Sequence, residues 1–274
     1  MKNKLSVTAI ILCHINDDRL LKALESVQFC DEILILDHQS HNDWEKLAQK
    51  FHFRVIQHQA NIEDFSQVRN SLAPQAQHDW ILSLDSDEYL ADPALAAELL
   101  AQLIKDENFN CASVTRTDIF AQQQLKHGEA GQQKITKIYD RRQLHYKRPV
   151  HEEITGLKEQ KIACLALPIT ILHHSHLSVE SFFQDVCQYA EMEALHRAVL
   201  FEFKEKQILF QLIFYPLGKF VLNYFFKLGC LDGFAGLVYA SLMSLHSLMV
   251  RIFLWENLFS EKSQTKKIGE GQSD

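Results

Sequence analysis

Three carboxylates crowd together directly after an apolar run in the first third of the sequence. The run is WILSL at residues 80–84, and Asp85, Ser86, Asp87 and Glu88 follow it. Carboxylates this close repel one another, and a divalent cation relieves the repulsion. Because Mg²⁺ and Mn²⁺ prefer oxygen ligands, often completed by substrate phosphates, the cluster indicates a cation site that could hold a diphosphate. A solvated acidic turn that caps the next helix is the other interpretation.

A further carboxylate, Asp37, ends the apolar run EILILD and is followed by the polar loop HQSHND. Ser40 and Asn42 in this loop are residues that commonly cap helices, and a cap there would fix the loop around Asp37. Asp37 and the acidic cluster both follow apolar runs that are typical of buried strands. They therefore fall where α/β sheets bind ligands, at the carboxyl ends of strands.

The elements that must position these residues alternate between strands and helices. Apolar runs predict strands at 5–13, 32–37, 53–57 and 80–84, and helical periodicity predicts helices at 17–28, 43–51, 65–76 and 93–105. The alternation predicts a mostly parallel sheet with helices on both faces. Short strands follow from residue 111, and then come a helix at 178–203 and two apolar helices between residues 206 and 256.

Glycine and charge content exclude several kinds of site. The chain has 274 residues and nine glycines, of which Gly128 is the first. A glycine-rich loop of the dinucleotide-binding or P-loop type is therefore excluded from the first 127 residues. The net charge of −7 argues against a nucleic-acid partner, because phosphate neutralisation needs clustered Lys and Arg. The six cysteines form no Cys-x-x-Cys pair and are expected to be reduced and buried.

Taken in order, several segments resemble glycosyltransferase family 2, in the subgroup of bacterial lipopolysaccharide and lipooligosaccharide core glucosyltransferases. The segments are TAIIL, LESVQFCDEILILDHQS, the pair Arg69-Asn70, DWILSLDSDEYL, PVHEE at 149–153, LHHSH at 172–176 and FVLNYFFKLGCLDGFAG at 220–236. The resemblance implies a GT-A fold, which is a Rossmann-like α/β fold with a mostly parallel sheet and helices on both faces, followed by C-terminal apolar helices.

The resemblance also implies an inverting hexosyltransferase that uses a UDP-sugar, UDP-glucose in the first instance, and a Mg or Mn divalent cation. The residues that it assigns to the donor are Asp37, Ser40, Arg69, Asp85 and His151. It assigns Asp87 to the metal. Direct displacement at the anomeric carbon needs a carboxylate base, and the His-Glu pair implies Glu152 in that role, with Asp118 and Glu88 as competing candidates. An exposed acid at the end of a strand is the other interpretation of Glu152.

Histidines and basic residues form two further candidate groups. His173, His174 and His176 lie close together, but consecutive strand residues point to opposite faces, so His173 and His174 are not expected to share a metal. A structural role is the favoured interpretation of these histidines; His174 is the candidate to complete the cation's ligands or to contact the diphosphate. The basic residues Lys137, Arg141, Arg142, Lys147 and Arg148 are either a solvated hairpin face or a site that attracts phosphate.

Two loops depart from the family pattern. Ile15 stands where the family usually has Asn, and Ser40 is followed by His41, Asn42 and Asp43 in place of the usual Asp-Gly. These departures keep open a non-catalytic membrane-attached scaffold on a transferase fold. A sugar-nucleotide nucleotidyltransferase is the other alternative, although such enzymes normally carry the N-terminal glycine-rich loop that this chain lacks.

The C-terminal part differs in composition from the rest of the chain. Residues 197–274 carry a net charge of +2 and half of the 28 aromatic residues, whereas residues 1–196 carry −9. Residues 233–250 contain no Asp, Glu, Lys or Arg. We expect an interfacial helical hairpin on an anionic membrane. The cations expected near the lipid headgroups are Lys204, Lys206, Lys219, Lys227 and Arg251. Packing on the catalytic domain or in a homodimer is the other interpretation.

These observations predict three regions: a GT-A nucleotide-sugar and catalytic domain at 1–177, a helical membrane-associating or dimerising region at 178–260, and a disordered tail at 261–274. The expected partners are the UDP-sugar, a lipid-linked oligosaccharide acceptor and the inner-membrane surface. The expected location is cytoplasmic, peripheral on the inner face of the cytoplasmic membrane.

Overall fold

The computed structural model describes residues 4–60, 62, 64–147, 153–157, 160–200 and 204–270. The chain forms two compact units. The first comprises Met1–Thr117 and Gln132–His174, and the second comprises Asp118–Gly131 and Ser175–Asp274. The division of the chain at residues 177 and 260 stays a prediction.

The strands are β1 (Leu5–Cys13), β2 (Cys30–Asp37), β3 (Arg54–Gln57), β4 (Trp80–Asp85), β5 (Glu88–Leu90), β6 (Cys111–Phe120), β7 (Gln123–Gln124), β8 (Gln133–Asp140), β9 (Leu144–Lys147), β10 (Glu153–Gly156) and β11 (Cys164–His176). The helices are α1 (Asp18–Ser26), α2 (Trp44–Ala48), α3 (Phe65–Leu72), α4 (Pro93–Leu103), α5 (Val179–Leu200), α6 (Glu205–Val221) and α7 (Gly233–Glu270). A π-helical segment (Leu222–Phe226) and a 3-10 turn (Gly229–Asp232) connect α6 to α7.

The main sheet has the order β3-β2-β1-β4-β8-β6-β11-β5, with β7 paired to β6. The strands β1 to β4 form a parallel half. Strands β8 and β6 extend it through antiparallel pairs, and β11, the neighbour of β6, pairs antiparallel with β5. The predicted fold class is confirmed: a mostly parallel, mixed sheet with helices, followed by long apolar helices. The short strand β5 and the β9–β10 hairpin were not predicted from the sequence.

Apolar residues on alternate positions of β1 face two different cores, as a strand buried on both sides requires. Ile11 packs with Leu24 of α1 and Leu100 of α4 on one face of the sheet. Ile10 packs with Leu72 of α3 on the other face. Burial on both faces holds the carboxyl ends of the parallel strands in fixed positions.

Two local details differ from the sequence expectations. Helix α3 ends at Leu72, earlier than predicted, because Pro74 lacks the N–H that would continue it, and a 3-10 turn follows at Ala73–Gln75. Cys13, Cys30 and Cys111 are buried as expected, but Cys164 is exposed. The expectation of burial is wrong there because Cys164 is the first residue of β11, at an end of the sheet.

The second unit is built around α7. Helix α5 packs along α7 through Val186 in one apolar cluster and Ala194 in a second, and Ile208 of α6 joins the second cluster. By length and composition, Glu205–Phe226 and Gly229–Leu258 are each apolar enough to cross a membrane, a test that core helices of soluble proteins also pass. Only 11% and 28% of their most apolar stretches are buried. Much of their apolar surface is therefore exposed.

Candidate functional site

The carboxyl ends of β1, β2 and β4 meet at one edge of the sheet. In the parallel ladder, Cys13 pairs with Asp37 of β2, and Leu12 pairs with Asp85 of β4. Gln57, the last residue of β3, pairs with Asp37 on its other side. The two acidic positions predicted from the sequence therefore lie on either side of β1, where open α/β sheets bind ligands.

Neutral hydrogen-bond donors hold the Asp37 carboxylate. The Ser40 backbone N–H donates to Oδ1 at 3.0 Å, and the Ser40 hydroxyl donates to the same oxygen. Trp44 Nε1 and Gln57 Nε2 donate to Oδ2 at 2.7 and 3.0 Å. Burial raises the pKa of Asp37, but these hydrogen bonds outweigh burial and hold the pKa below its ordinary value. Asp37 is therefore an ionised, oriented group; Trp44 and Gln57 were missed at the sequence level.

The two loops that depart from the family pattern are tied to each other beside Asp37. Asn42 Nδ2 donates to the Ile15 carbonyl at 2.7 Å, and Asn16 Nδ2 donates to the His41 carbonyl at 2.8 Å. Each loop thus supplies an asparagine that satisfies a backbone carbonyl of the other. The asparagines fix the surroundings of Asp37 in a way that differs from the pattern usual in the family.

Two cations hold Asp85. Arg69 Nη2 donates to Oδ1 at 2.6 Å, and Lys137 Nζ donates to Oδ2 at 3.1 Å. Arg69 also donates to Ser83 Oγ at 2.8 Å. Burial raises the pKa of Asp85, but the charges of Arg69 and Lys137 outweigh it and hold the pKa far below its ordinary range. Both carboxylate oxygens already have a cationic partner, so Asp85 is poorly suited to bind a metal ion.

Lys137 joins Asp85 to a second carboxylate, Glu88. Its Nζ donates to Glu88 Oε2 at 2.6 Å, and Arg116 Nη1 lies 3.6 Å from Oε1. Assigning Lys137 to a solvated basic face is wrong, because β8 runs beside β4 and buries this side chain. Glu88 is 0% exposed. It has no access to an acceptor hydroxyl and is not suited to act as the base.

Asp87 faces His173. Strand β11 pairs with β5 so that His173 lies opposite Glu88, the residue after Asp87. His173 Nε2 lies 3.5 Å from Asp87 Oδ2. Burial raises the pKa of Asp87, which is 8% exposed, but the contact with His173 outweighs burial and keeps the pKa below its ordinary value. A carboxylate and an imidazole therefore meet at this point.

His174 points the other way, as the two-residue period of a strand requires. Its Nε2 lies 3.1 Å from the Tyr89 hydroxyl, and its backbone N–H donates to the Asp87 carbonyl at 2.9 Å. A structural role was the favoured interpretation of these histidines, with His174 as the candidate near the cation; the structure instead places His173 beside Asp87. Only the register between β5 and β11 distinguishes the two.

Asp87 and His173 are the pair in this site that fits a divalent cation. They bring an oxygen and a nitrogen to one point, whereas Asp85 is already matched by Arg69 and Lys137. Among the residues that the structure describes, no group of three or more His, Cys, Asp or Glu side chains is placed to hold a metal. A cation bound here would need further oxygens from a substrate, as Mg²⁺ commonly does.

Part of the predicted site lies outside the described residues: Arg148, His151 and Glu152. The hairpin that flanks them is described, and in it Glu153 of β10 pairs with Lys147 of β9. Asn70 fastens β9 to α3, because it donates to the Tyr146 carbonyl at 2.8 Å and accepts from the Tyr146 N–H at 2.9 Å. Asp118, the other competing base, is buried in the second unit. The role of Glu152 stays a prediction.

Several solved structures are similar to this chain at low identity. S. aureus TarS is 15% identical over 84% of this chain with a TM-score of 0.42, and this chain spans 44% of that one. S. aureus TarS 1–349 in complex with UDP is 14% identical over 93% of this chain and 92% of that one, with a TM-score of 0.44. Glucosyl-3-phosphoglycerate synthase from Mycobacterium tuberculosis, in complex with Mn²⁺, UDP and phosphoglyceric acid, is 16% identical over 40% of this chain and 43% of that one, with a TM-score of 0.34.

A family profile gives a more direct assignment. The profile described as glycosyl transferase family 2 matches residues 8–158, which is more than half of the chain. The matched range contains Asp37, Asp85 and Asp87 together with the strands that position them, whereas His173 lies beyond it. This chain belongs to glycosyltransferase family 2.

Proposed function

We propose that this glycosyltransferase transfers a hexose, glucose in the first instance, from a UDP-sugar to the core of a lipooligosaccharide, with inversion at the anomeric carbon. The observation that carries the proposal is the division among the site's carboxylates. Asp85 is neutralised by Arg69 and Lys137, whereas Asp37 is held by neutral donors and Asp87 lies against an imidazole. Two carboxylates at one sheet edge thus keep their negative charge for a ligand.

Asp37 would bind the nucleoside. Its carboxylate is ionised and fixed in orientation by Ser40, Trp44 and Gln57, so it would accept hydrogen bonds from the donor without first being ordered. The Ser40 hydroxyl lies in the same group of contacts. Asp85 would face the ribose or uracil side.

Arg69 would act on the donor through Asp85 rather than by direct contact. Its guanidinium already donates to Asp85 and Ser83, and its carbon Cζ lies 5.5 Å from the centre of the Tyr146 ring. An arginine held by three neighbours is well suited to fix a carboxylate in one orientation. Direct contact with phosphate would require these bonds to break.

Asp87, together with His173, would hold a Mg or Mn divalent cation. The bound ion would neutralise the diphosphate and so stabilise the leaving UDP. The chain's own contribution is to present one carboxylate oxygen and one imidazole nitrogen, 3.5 Å apart, beside the ends of β4 and β5. This arrangement replaces the glycine-rich phosphate loop, which residues 1–127 cannot form.

Glu152 would take the proton from the acceptor hydroxyl, and His151 would orient it or contact phosphate. Direct displacement requires a base that faces the donor, and such a base typically contributes 10²- to 10⁴-fold to the rate. Glu88 is excluded by burial against Lys137. On either side of the His-Glu pair, Glu153 of β10 pairs with Lys147 of β9.

The acceptor would be a lipid-linked oligosaccharide, and the protein would act at the inner face of the cytoplasmic membrane. Two observations support this location. The helices after residue 204 expose much of their apolar surface, and their segment of the chain carries a net positive charge. Anionic lipids attract basic segments, and interfacial helices bury one apolar face in the headgroup region.

The test is the release of nucleotide from a panel of UDP- and GDP-sugars with and without Mn²⁺, measured by mass spectrometry. We expect UDP-sugars to be cleaved and GDP-sugars to be left intact. Asp87→Asn should lose Mn²⁺-dependent UDP binding, whereas Asp31→Asn, at the other end of the sheet, should retain it. Glu152→Gln should bind UDP normally and lose at least 100-fold in transfer, with Glu153→Gln as its neighbouring control.

The same panel separates the alternatives. Absence of both nucleotide release and Mn²⁺-dependent UDP binding would favour a scaffold. Formation of pyrophosphate from a nucleoside triphosphate and a sugar phosphate would indicate a nucleotidyltransferase. Normal turnover by Glu152→Gln would remove that residue from the mechanism.

A further inference from the structure

A continuous apolar surface runs along α6 and over the turn that follows it. Phe210, Phe214, Leu217 and Val221 are all exposed and recur every three or four residues, which places them on one side of α6. The same spacing leads to Phe225, the first exposed ring of the turn. We call these four positions of α6 the α6 stripe.

The turn between α6 and α7 carries the most exposed apolar side chains of this surface. Phe226 is 78% exposed and Phe234 is 79% exposed. Between them, Leu228 and Leu231 are also exposed. We call residues 225–234 the aromatic tip. Apolar side chains rarely stay in water at this density in a soluble protein unless the surface binds something.

Buried polar contacts hold the aromatic tip from its inner side. Asn223 is buried, and its Oδ1 accepts from the Glu129 N–H at 3.0 Å. The Gly128 N–H donates to the Lys227 carbonyl at 2.8 Å. The His127 N–H donates to Asp232 Oδ2 at 2.8 Å. The rings of the tip therefore point outward from a fixed backbone and have no core of their own to enter.

The cations of this region are already matched within the unit. Glu129 Oε1 lies 2.7 Å from Lys219 Nζ and 3.2 Å from Lys227 Nζ. Arg251 is buried, donates to the Ser247 carbonyl at 3.0 Å and lies over the Tyr215 ring. The expected place of Arg251 at the headgroups is wrong because it is buried, whereas Lys219 and Lys227 share one carboxylate and their place there stays a prediction.

Among the residues whose side chains the structure describes, two further cations of α6 are placed for an anionic surface. Lys204 and Lys206 are exposed at the start of α6, at the end of the stripe opposite to the tip. These lysines would attract an anionic headgroup layer, whereas the α6 stripe and the aromatic tip would pack against lipid hydrocarbon. The match of a basic end to an apolar face is typical of helices that lie in a membrane interface.

The acidic character of α5 argues against a membrane-spanning hairpin. Helix α5 packs along α7, and it carries Glu180, Asp185, Glu191 and Glu193. If α7 crossed the bilayer in this packing, α5 would carry these carboxylates into hydrocarbon, where charged groups are strongly disfavoured. The carboxylates make α5 unsuited to the hydrocarbon interior, although α5 also exposes apolar side chains such as Tyr189 and Val199.

We propose that the α6 stripe and the aromatic tip form a monotopic membrane-binding face, in which the tip enters the acyl layer and Lys204 and Lys206 contact anionic headgroups. The occupant is a phospholipid bilayer. This inference deepens the membrane location proposed above and rests on it, but it is independent of the donor and of the catalytic residues. Because most charges of the face are internally matched, apolar insertion dominates the binding.

The test is co-sedimentation of the full chain with vesicles of phosphatidylethanolamine and phosphatidylglycerol at a 3:1 ratio. We expect binding that persists in 0.5 M NaCl, where charges on the surface are screened within about 4 Å or 5 Å. The double variant Phe226→Ser/Phe234→Ser should bind about 100-fold more weakly, about tenfold for each ring. The matched control is Phe183→Ser, an exposed phenylalanine of α5, which should bind as the parent does.

Insertion depth gives a second readout. Lipids brominated on the acyl chains should quench the fluorescence of the tryptophan introduced by Phe226→Trp. They should not quench that of the tryptophan introduced by Phe183→Trp. Release of UDP from a UDP-sugar should be the same in the double variant and the parent. Absence of UDP release in both proteins would count against the proposed function, but it would not affect the proposal of the membrane-binding face.

Three outcomes would overturn the membrane face. The first is a parent protein that does not bind the vesicles. The second is a double variant whose affinity for the vesicles is within threefold of that of the parent. The third is a parent that forms a dimer in light scattering, ignores vesicles and becomes monomeric in the double variant. That last result would assign the face to a second copy of the chain.

Discussion

Replacing Lys137 by methionine tests whether this buried cation stabilises the fold through its ion pairs with Asp85 and Glu88. The substitution keeps the length of the side chain and removes the ammonium that contacts Glu88 at 2.6 Å and Asp85 at 3.1 Å. At an effective dielectric constant of about 20, the attraction at 2.6 Å amounts to about 6 kcal/mol. Removing the cation also removes its own desolvation cost. The net loss expected for breaking a buried pair is therefore about 3–5 kcal/mol.

The assay is urea unfolding followed by the fluorescence of Trp44 and Trp80, both in the first unit, in a Trp255→Phe background. Lys137→Met should lower the free energy of unfolding by the amount given above. Lys134→Met, an exposed position on the same strand, should change it by less than about 0.5 kcal/mol.

A double-mutant cycle separates charge from packing. Adding Glu88→Gln to Lys137→Met neutralises the carboxylate that has lost its partner. The loss of unfolding free energy in the double variant should therefore be smaller than the sum of the two single losses by at least about 1 kcal/mol. A loss in Lys137→Met no larger than in Lys134→Met would refute the reasoning. It would mean that water screens the cluster.

Two further predictions concern Asp37 and Asp85. Trp44→Phe removes the charge-assisted hydrogen bond to Asp37, and it should weaken UDP binding about tenfold in calorimetry, with Asp37→Asn weakening it further; unchanged affinity in both would remove Asp37 from the donor site. The folded-state pKa of Asp85 lies below its unfolded value of about 4, so its charge stabilises the protein above about pH 4, and this contribution is lost as the pH falls through the folded pKa. In urea, the stability gap between the parent and Asp85→Asn should therefore be wide at pH 7 and should close towards pH 2, and a constant gap would contradict the ion pairs.

The parallel half of the sheet was predictable because its strands are continuous apolar runs. Each run ends at a polar residue, so the sequence alone located Asp37 and the acidic cluster after β4. Their convergence followed from the geometry of parallel strands, whose carboxyl ends share one edge. The register confirms it, since Cys13 and Leu12 pair with Asp37 and Asp85.

The antiparallel half was not predictable in the same way. Lys137 reaches Glu88 across 49 positions of sequence, and nothing in the local pattern of β8 shows which strand it will lie beside. The choice between His173 and His174 depends on a shift of a single residue in the β5–β11 register. The ion pairs of Lys219 and Lys227 were not predictable for a related reason, because Glu129 reaches them from a distant loop.

The arrangement of charges explains how three adjacent carboxylates can serve different purposes. If Asp85, Asp87 and Glu88 all lacked counterions, their mutual repulsion would favour protonation and weaken any selectivity for a cation. Lys137, together with Arg69 at Asp85 and Arg116 near Glu88, balances the charge of two of them, and that pairing needs no ligand. The remaining charge is concentrated on Asp87, and the His173 imidazole nitrogen Nε2 lies 3.5 Å from its Oδ2. Residues 1–127 have no glycine-rich loop, but they present Asp87 as one defined anionic group for a cation. How strongly Asp87 attracts the cation depends on Lys137, a buried residue that would not contact the substrate.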